Sequence, residues 1–212
     1  MNPYTAVEEF ERELAAYTGA PYAVSCTSCT VALQMALMWF KTQKNNPEVA
    51  VSIPRRTYVG VGHAVVNSGH KIRFRDEDWS GAYRLAPYPV IDSARWIYKR
   101  MYVPGTIMAL SFHWTKQLSV GSGGALILND PIMTDWLRRV RFDGRQAGVA
   151  PRDDIFDVPG LHCYMSPMTA AEALTRLAVL PAQNDPLPNS DYADLSLSPY
   201  FQSHQIGAKK VA

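Results

Sequence analysis

From Thr5 to Leu180, segments with helical spacing alternate with short apolar runs rich in β-branched residues. Strands that alternate with helices predict a three-layer α/β sandwich with a mostly parallel central sheet. Val7, Phe10, Leu14 and Tyr17 follow helical spacing after a capping box at Thr5-Ala6-Val7-Glu8, and Gly19 stops that helix. A strand is predicted over Tyr22 to Ser25, a helix from about Thr30 to Lys41, a strand over Val49 to Ile53 and a helix over Thr57 to Ser68 closed by Gly69. Lys71 to Arg75 reads as another strand, whereas Asp76 to Pro89 has turn residues and little regular structure. Short buried strands follow at Pro89 to Ile91, Thr106 to Ser111 and Gly124 to Leu128, with helices at Asp130 to Phe142 and Met168 to Leu180. One α/β domain is expected over residues 1–183 and an extended or mobile tail over 184–212, where Pro186, Pro188 and Pro199 mix with polar residues before Lys209-Lys210. Within that tail Tyr192, Leu195, Leu197, Tyr200 and Phe201 could instead dock on a partner subunit.

The 212 residues carry 21 Lys and Arg against 19 Asp and Glu, a net charge of +2. This near balance does not indicate a nucleic-acid partner, although a local basic patch leaves one possible. Three cysteines, an odd number, make no disulfide framework, and a reducing, cytoplasmic setting is expected. Met1-Asn2-Pro3-Tyr4 has no basic region followed by an apolar run, so no signal peptide is expected, and no apolar stretch approaches the ~18 residues of a membrane span.

Three short stretches carry chemistry. Ser111-Phe112-His113-Trp114-Thr115-Lys116 leaves a strand and leads to Gly121-Ser122-Gly123-Gly124, so one lysine is presented on a loop before a glycine-rich turn. This is an ordinary hairpin with a solvated lysine, or it is a nucleophile that forms a Schiff base with a carbonyl, with Trp114 and Phe112 as apolar walls. Asp92 ends a buried strand, at the edge where open α/β sheets bind ligands. It is either a helix N-cap or the carboxylate that keeps a pyridine nitrogen protonated in a pyridoxal electron sink. Finally, Ser25 to Thr30 is a small-residue loop entering a helix, which offers N–H groups, hydroxyls and a positive dipole end to a phosphate.

In this order the stretches resemble the DegT/StrS family of nucleotide-sugar aminotransferases, fold type I enzymes that use pyridoxal 5′-phosphate (PLP). The most specific match is Ser-Phe-His-x-x-Lys-x-x-x-x-Gly-x-Gly-Gly over Ser111 to Gly124, and the resemblance runs from the opening helix to Leu180. Pro54 to Tyr58 is similar to the family's Pro-x-x-Thr-aromatic element, and Leu161 to Leu177 to the segment that reaches a neighbouring subunit's site. The resemblance implies that Lys116 is the Schiff-base lysine and that Asp92 pairs with the pyridinium nitrogen. Ser111 and the Ser28, Cys29, Thr30 loop would hold the phosphate, Tyr58 would stack on the ring, and Arg95 and Tyr164 would complete the cofactor contacts. Departures are that Cys29 replaces a glycine, Arg95 a Gln or His, and Tyr164 the Asn or Arg that a neighbouring subunit supplies. Between Arg75 and Val90 the family's additional strand and helices are largely missing. After Leu180 nothing matches the small C-terminal domain that helps recognise substrates, so the family's sugar specificity is not carried over.

Cys26-x-x-Cys29 also has the spacing of half a zinc site or a redox pair, but only Cys163, His113 and His162 could complete it, and no metal is expected. His162 and His63 read as structural. The pairs Arg55-Arg56 and Arg138-Arg139, with Arg141 and Arg145, read as a solvated face, except that Arg55-Arg56 precedes Tyr58 and could bind an anionic substrate. The resemblance implies a homodimeric PLP aminotransferase acting on a small-molecule amino donor, L-glutamate, and a keto acceptor such as a sugar nucleotide. Two other readings remain: a PLP decarboxylase or dehydratase acting on an amino-bearing nucleotide or nucleic-acid-linked substrate, compact enough for a viral genome, and a non-catalytic binding relative.

Overall fold

A computed structural model describes residues 4–43, 49–189 and 191–206. Among them the chain order is α1 (Thr5–Thr18), β1 (Tyr22–Cys26), α2 (Cys29–Thr42), β2 (Ala50–Pro54), α3 (Val59–Asn67), β3 (Lys71–Arg75), β4 (Tyr83–Leu85), β5 (Val90–Asp92), β6 (Ile107–Ser111), β7 (Gly124–Leu128), α4 (Pro131–Val140), α5 (Pro167–Ala178) and α6 (Pro199–Gln202). The helix ends have local causes. Gly19 adopts φ 76° and its N–H bonds to Ala15 O at 2.9 Å, which closes α1. At the other end the N-cap falls on Tyr4, so Thr5 is already helical and is not the cap that the sequence suggests. Ser28 Oγ accepts the Val31 N–H at 3.2 Å to start α2, and Asp130 Oδ1 accepts the N–H groups of Ile132 and Met133 at 2.8 and 3.0 Å to start α4.

Five strands form a sheet in the order β1-β7-β6-β5-β4, and β2 pairs with β3. β5 and β6 are parallel, as are β2 and β3, while β1/β7, β7/β6 and β5/β4 are antiparallel. The central sheet is therefore mixed, where a mostly parallel one was expected. The connection from Leu85 to Val90 is too short for a parallel crossover, which needs about a dozen residues, so β4 turns straight back into β5. β4 itself lies in the stretch that reads as irregular; Tyr83 and Leu85 are buried on one side of exposed Arg84, a strand pattern too short to stand out. The Ser52 N–H to Ala86 O bond, 2.7 Å, ties β2 to the residues just after β4.

Alternation along the central strands sends side chains into two cores. Leu126 and Leu128 of β7 and Ala109 of β6 face α2 and α3, whereas Ala125, Ile127 and Leu110 face α1 and α5. Helices thus cover both faces, giving the three-layer sandwich. One charged cluster locks the α1 layer. Glu11 is 3% exposed; its Oε1 accepts the Ser25 N–H and Oγ, both at 2.8 Å, and pairs with Arg141, whose Nη1 also reaches Ser25 O at 2.6 Å. Arg141 is consequently part of a buried ion pair and not of a solvated face.

The segment after α5 runs back over the domain. Trp96 Nε1 donates to Asn184 O at 2.8 Å, Gln117 Nε2 to Asp185 O at 2.5 Å, and Leu195 N–H to Arg55 O at 2.9 Å. Leu195 and Phe201 are buried on this chain's own core, while Leu197 and Tyr200 are exposed. Lys209-Lys210 lies outside the described residues.

Candidate active site

The loop between β6 and β7 carries Lys116, and its N–H bonds to His113 O at 2.8 Å. The loop returns through Gly123, at φ 124°, which pairs with Ser28 in a β-bridge. A side chain at Gly124 would place its Cβ 2.3 Å from the Cys29 backbone nitrogen, so only glycine lets β7 start beneath the first turn of α2. The glycine-rich turn and the α2 N-terminus are in this way parts of one cradle.

Lys116, Asp92, Ser28, Cys29, Thr30, Tyr58, Arg95 and Ser111 all line one cavity of about 450 Å³. That volume lies within the ~300–1,000 Å³ of small-molecule sites. Thr57, Trp79 and Tyr192 also line it, and none of the three was singled out as a site residue from the sequence. Tyr192 comes from the segment after α5, and its ring lies parallel to that of Trp79 within 9°, with centroids 6.4 Å apart. The walls expected from Phe112 and Trp114 are not there. Phe112 is fully buried in the core shared with α1, and Trp114 is 70% exposed.

Asp92 sits at the carboxyl end of β5, 5% exposed. No helix follows it, so it is not an N-cap; its Oδ1 accepts the Ala94 N–H at 2.9 Å and its Oδ2 the Tyr83 hydroxyl at 2.8 Å. Burial raises its pKa, opposed by those two donors and by the Lys116 charge. Burial, and then the Arg95 guanidinium, lower the pKa of Lys116, with Asp92 opposing. Burial also pushes Cys26 up to about 12 and Cys29 well above the usual thiol range, so both are neutral thiols, and no cluster of three metal-ligating side chains forms among the described residues.

Other candidates sit elsewhere. Arg55 and Arg56 do not line the cavity; Arg55 Nε lies 3.0 Å from Asp76 and 3.4 Å from Asp194, and Arg56 3.8 Å from Asp194. Tyr164 lines a second cavity of about 710 Å³ between α1 and the residues after α4, with Tyr4, Glu11 and Phe142. His63 packs on the rings of Tyr200 and Phe201, and His162 Nδ1 lies 3.0 Å from Asp143. No helix among the described residues is long and apolar enough to cross a membrane.

The three layers around a mixed sheet are consistent with the large domain of fold type I PLP enzymes. AtS13 from Actinomadura melliaura superposes with a TM-score of 0.70 at 22% identity, over 82% of this chain and 60% of that one. A DegT DnrJ EryC1 StrS aminotransferase from Brucella abortus gives 0.68 at 25% identity, over 82% and 58%. The model of the DegT/DnrJ/EryC1/StrS aminotransferase family matches residues 1–82 and 94–186, and the chain belongs to that family. The spore coat polysaccharide biosynthesis protein SpsC of Bacillus subtilis (strain 168) is 25% identical over 181 residues, 65% of this chain and 46% of that protein. The chain spans about half the length of that curated relative. The match breaks over 83–93, the stretch that contains β4, β5 and Asp92.

The family's cofactor is PLP, and the cavity has the groups such a cofactor needs. A half-buried amine, a buried carboxylate with both oxygens already oriented, and a Ser-capped helix N-terminus closed by a glycine that admits no Cβ surround one space.

Proposed function

We propose that this chain carries the catalytic large domain of a PLP-dependent aminotransferase, moving an amino group from an amino acid donor, L-glutamate, to a keto sugar nucleotide or similar small acceptor. The observation that carries the reading is the placement of Lys116 and Asp92 in the same cavity, close enough for each to feel the other's charge. PLP, when bound, supplies an aldehyde that captures amines and a pyridinium that draws electrons from the substrate carbon. Ser28, Thr30 and Ser111 would hold its phosphate, with the first-turn N–H groups of α2 contributing dipole and hydrogen bonds. Lys116 would hold the aldehyde and, once displaced by the donor amine, use its Nζ to take up and return a proton; its lowered pKa raises the fraction of free amine that this needs. Asp92 would keep the ring nitrogen charged, and Arg95 would sit beside Lys116 as a second cation. Tyr58, 55% exposed, would cover the outer face of the ring together with Trp79 and Tyr192.

The test is an absorbance spectrum of the protein with PLP, before and after candidate amines are added. L-glutamate should convert the bound cofactor to its pyridoxamine form with release of 2-oxoglutarate. Release of carbon dioxide or ammonia without that conversion would replace aminotransfer by decarboxylation or elimination. No spectral change on adding PLP would point to a binding protein.

The same reading makes the working unit a homodimer in which Tyr164 and its neighbours approach the other subunit's cavity. What supports it is that Tyr164 does not line the Lys116 cavity of its own chain. Sedimentation should give a dimer or larger assembly, and a stable monomer that binds PLP and turns over would overturn this part.

A further inference from the structure

We propose that Tyr83 is a positioning residue for Asp92: its hydroxyl, itself held by Thr57, keeps the carboxylate ionised and aimed into the Lys116 cavity. The inference rests on the reading of that cavity as a PLP site. Tyr83 lies directly opposite Asp92 in the antiparallel β4/β5 pair, and this hairpin falls in the stretch that the family model skips. The hydroxyl donates to Asp92 Oδ2 at 2.8 Å and lies 2.6 Å from Thr57 Oγ1. With the one phenolic proton directed at Asp92, Thr57 must be the donor to Tyr83. All three residues are buried, at 2%, 7% and 5% exposure for Thr57, Tyr83 and Asp92, and the Tyr83 ring is fixed by an edge contact with Trp79 at 4.7 Å.

The chemistry follows from where a buried proton settles. Burial alone favours the neutral acid of Asp92, and the two donors, Tyr83 and the Ala94 N–H, favour the anion. Burial and the neighbouring Asp92 raise the Tyr83 pKa, so the phenol stays protonated and remains a donor. If the phenol donor is removed, the proton shared between Asp92 and a ring nitrogen moves toward the carboxylate. The nitrogen then loses its charge and with it most of its pull on electrons. Phe keeps the ring and its packing on Trp79 and removes only the oxygen.

The experiment uses the whole chain loaded with PLP labelled with ¹⁵N at the ring nitrogen. Its readouts are the ¹⁵N chemical shift, the melting temperature and the rate of the donor half-reaction. In wild type the resonance should be that of a pyridinium. Tyr83→Phe should move it toward neutral pyridine and slow the half-reaction about tenfold, the usual scale for one hydrogen bond to a charged group. Thr57→Val should move it the same way by less. An unchanged resonance in Tyr83→Phe overturns the proposal and leaves Tyr83 a packing residue; should Tyr83→Phe fail to fold, an unchanged resonance in Thr57→Val overturns it instead. A wild type that binds no cofactor overturns the reading of the cavity, and a wild-type resonance of neutral pyridine overturns the ionised role of Asp92.

Discussion

Asp92→Asn is expected to fold normally and to slow the donor half-reaction by two to three powers of ten. The fold should tolerate the change because both hydrogen bonds have substitutes. The Asn carbonyl can accept the Ala94 N–H in place of Oδ1. On the other side, either oxygen of the Thr57–Tyr83 pair can donate, so that pair can reverse and let Tyr83 accept from the Asn amide. What is lost is the negative charge that the proposed function places beside the ring nitrogen, in a buried site where water screens little. A loss of about 3 to 4 kcal/mol of transition-state stabilisation corresponds to that fall in rate. Melting temperature and single-turnover rates of the loaded variant check it. Rates near wild type would mean that Asp92 only fixes the turn at Ala94, and an unfolded variant would mean that its role is structural.

Lys116→Ala should have the larger effect on turnover and should not lower stability. With the roles proposed for Lys116, its replacement removes both the covalent tether and the proton carrier and should lower turnover by about four powers of ten. Stability should not fall. A lysine whose pKa is lower in the fold than in the unfolded chain binds its proton less readily when folded, and this costs stability at every pH below the ordinary lysine pKa. At neutral pH the variant should therefore melt at or above the wild-type temperature. A variant that melts well below wild type, or that turns over at a comparable rate, would contradict the assignment.

Local chemistry made much of this legible in the sequence. Lys71–Arg75 and Gly124–Leu128 are strands over the predicted residues, and Ser28, Asp130 and Gly19 delimit helices by the side-chain or backbone preferences that mark them. That Lys116, Asp92 and the Ser28 to Thr30 loop are candidates is legible because each belongs to a short contiguous pattern next to a strand end, and the fold gathers them around one cavity. What was not legible depends on partners far apart in sequence. Tyr83 matters through Asp92 and Thr57, and Glu11 through Ser25 and Arg141; those contacts follow from strand register and packing, and no local residue pattern marks them. Tyr192 reaches the cavity only because Gln117, Arg55 and Trp96 hold the segment around it, so its composition reads as a tail while its contacts place it on the site. The direction of β4 has the same origin, since it follows from a connection length that matters only once β4 is known to exist.

The central claim is that the Lys116 cavity holds PLP through Lys116. Incubation of the full chain with PLP, reduction with borohydride and peptide mapping by mass spectrometry test it directly. The expected result is one phosphopyridoxyl group per chain on Lys116, absent in Lys116→Ala. A label on any other lysine, or no label on the wild type, would contradict the claim.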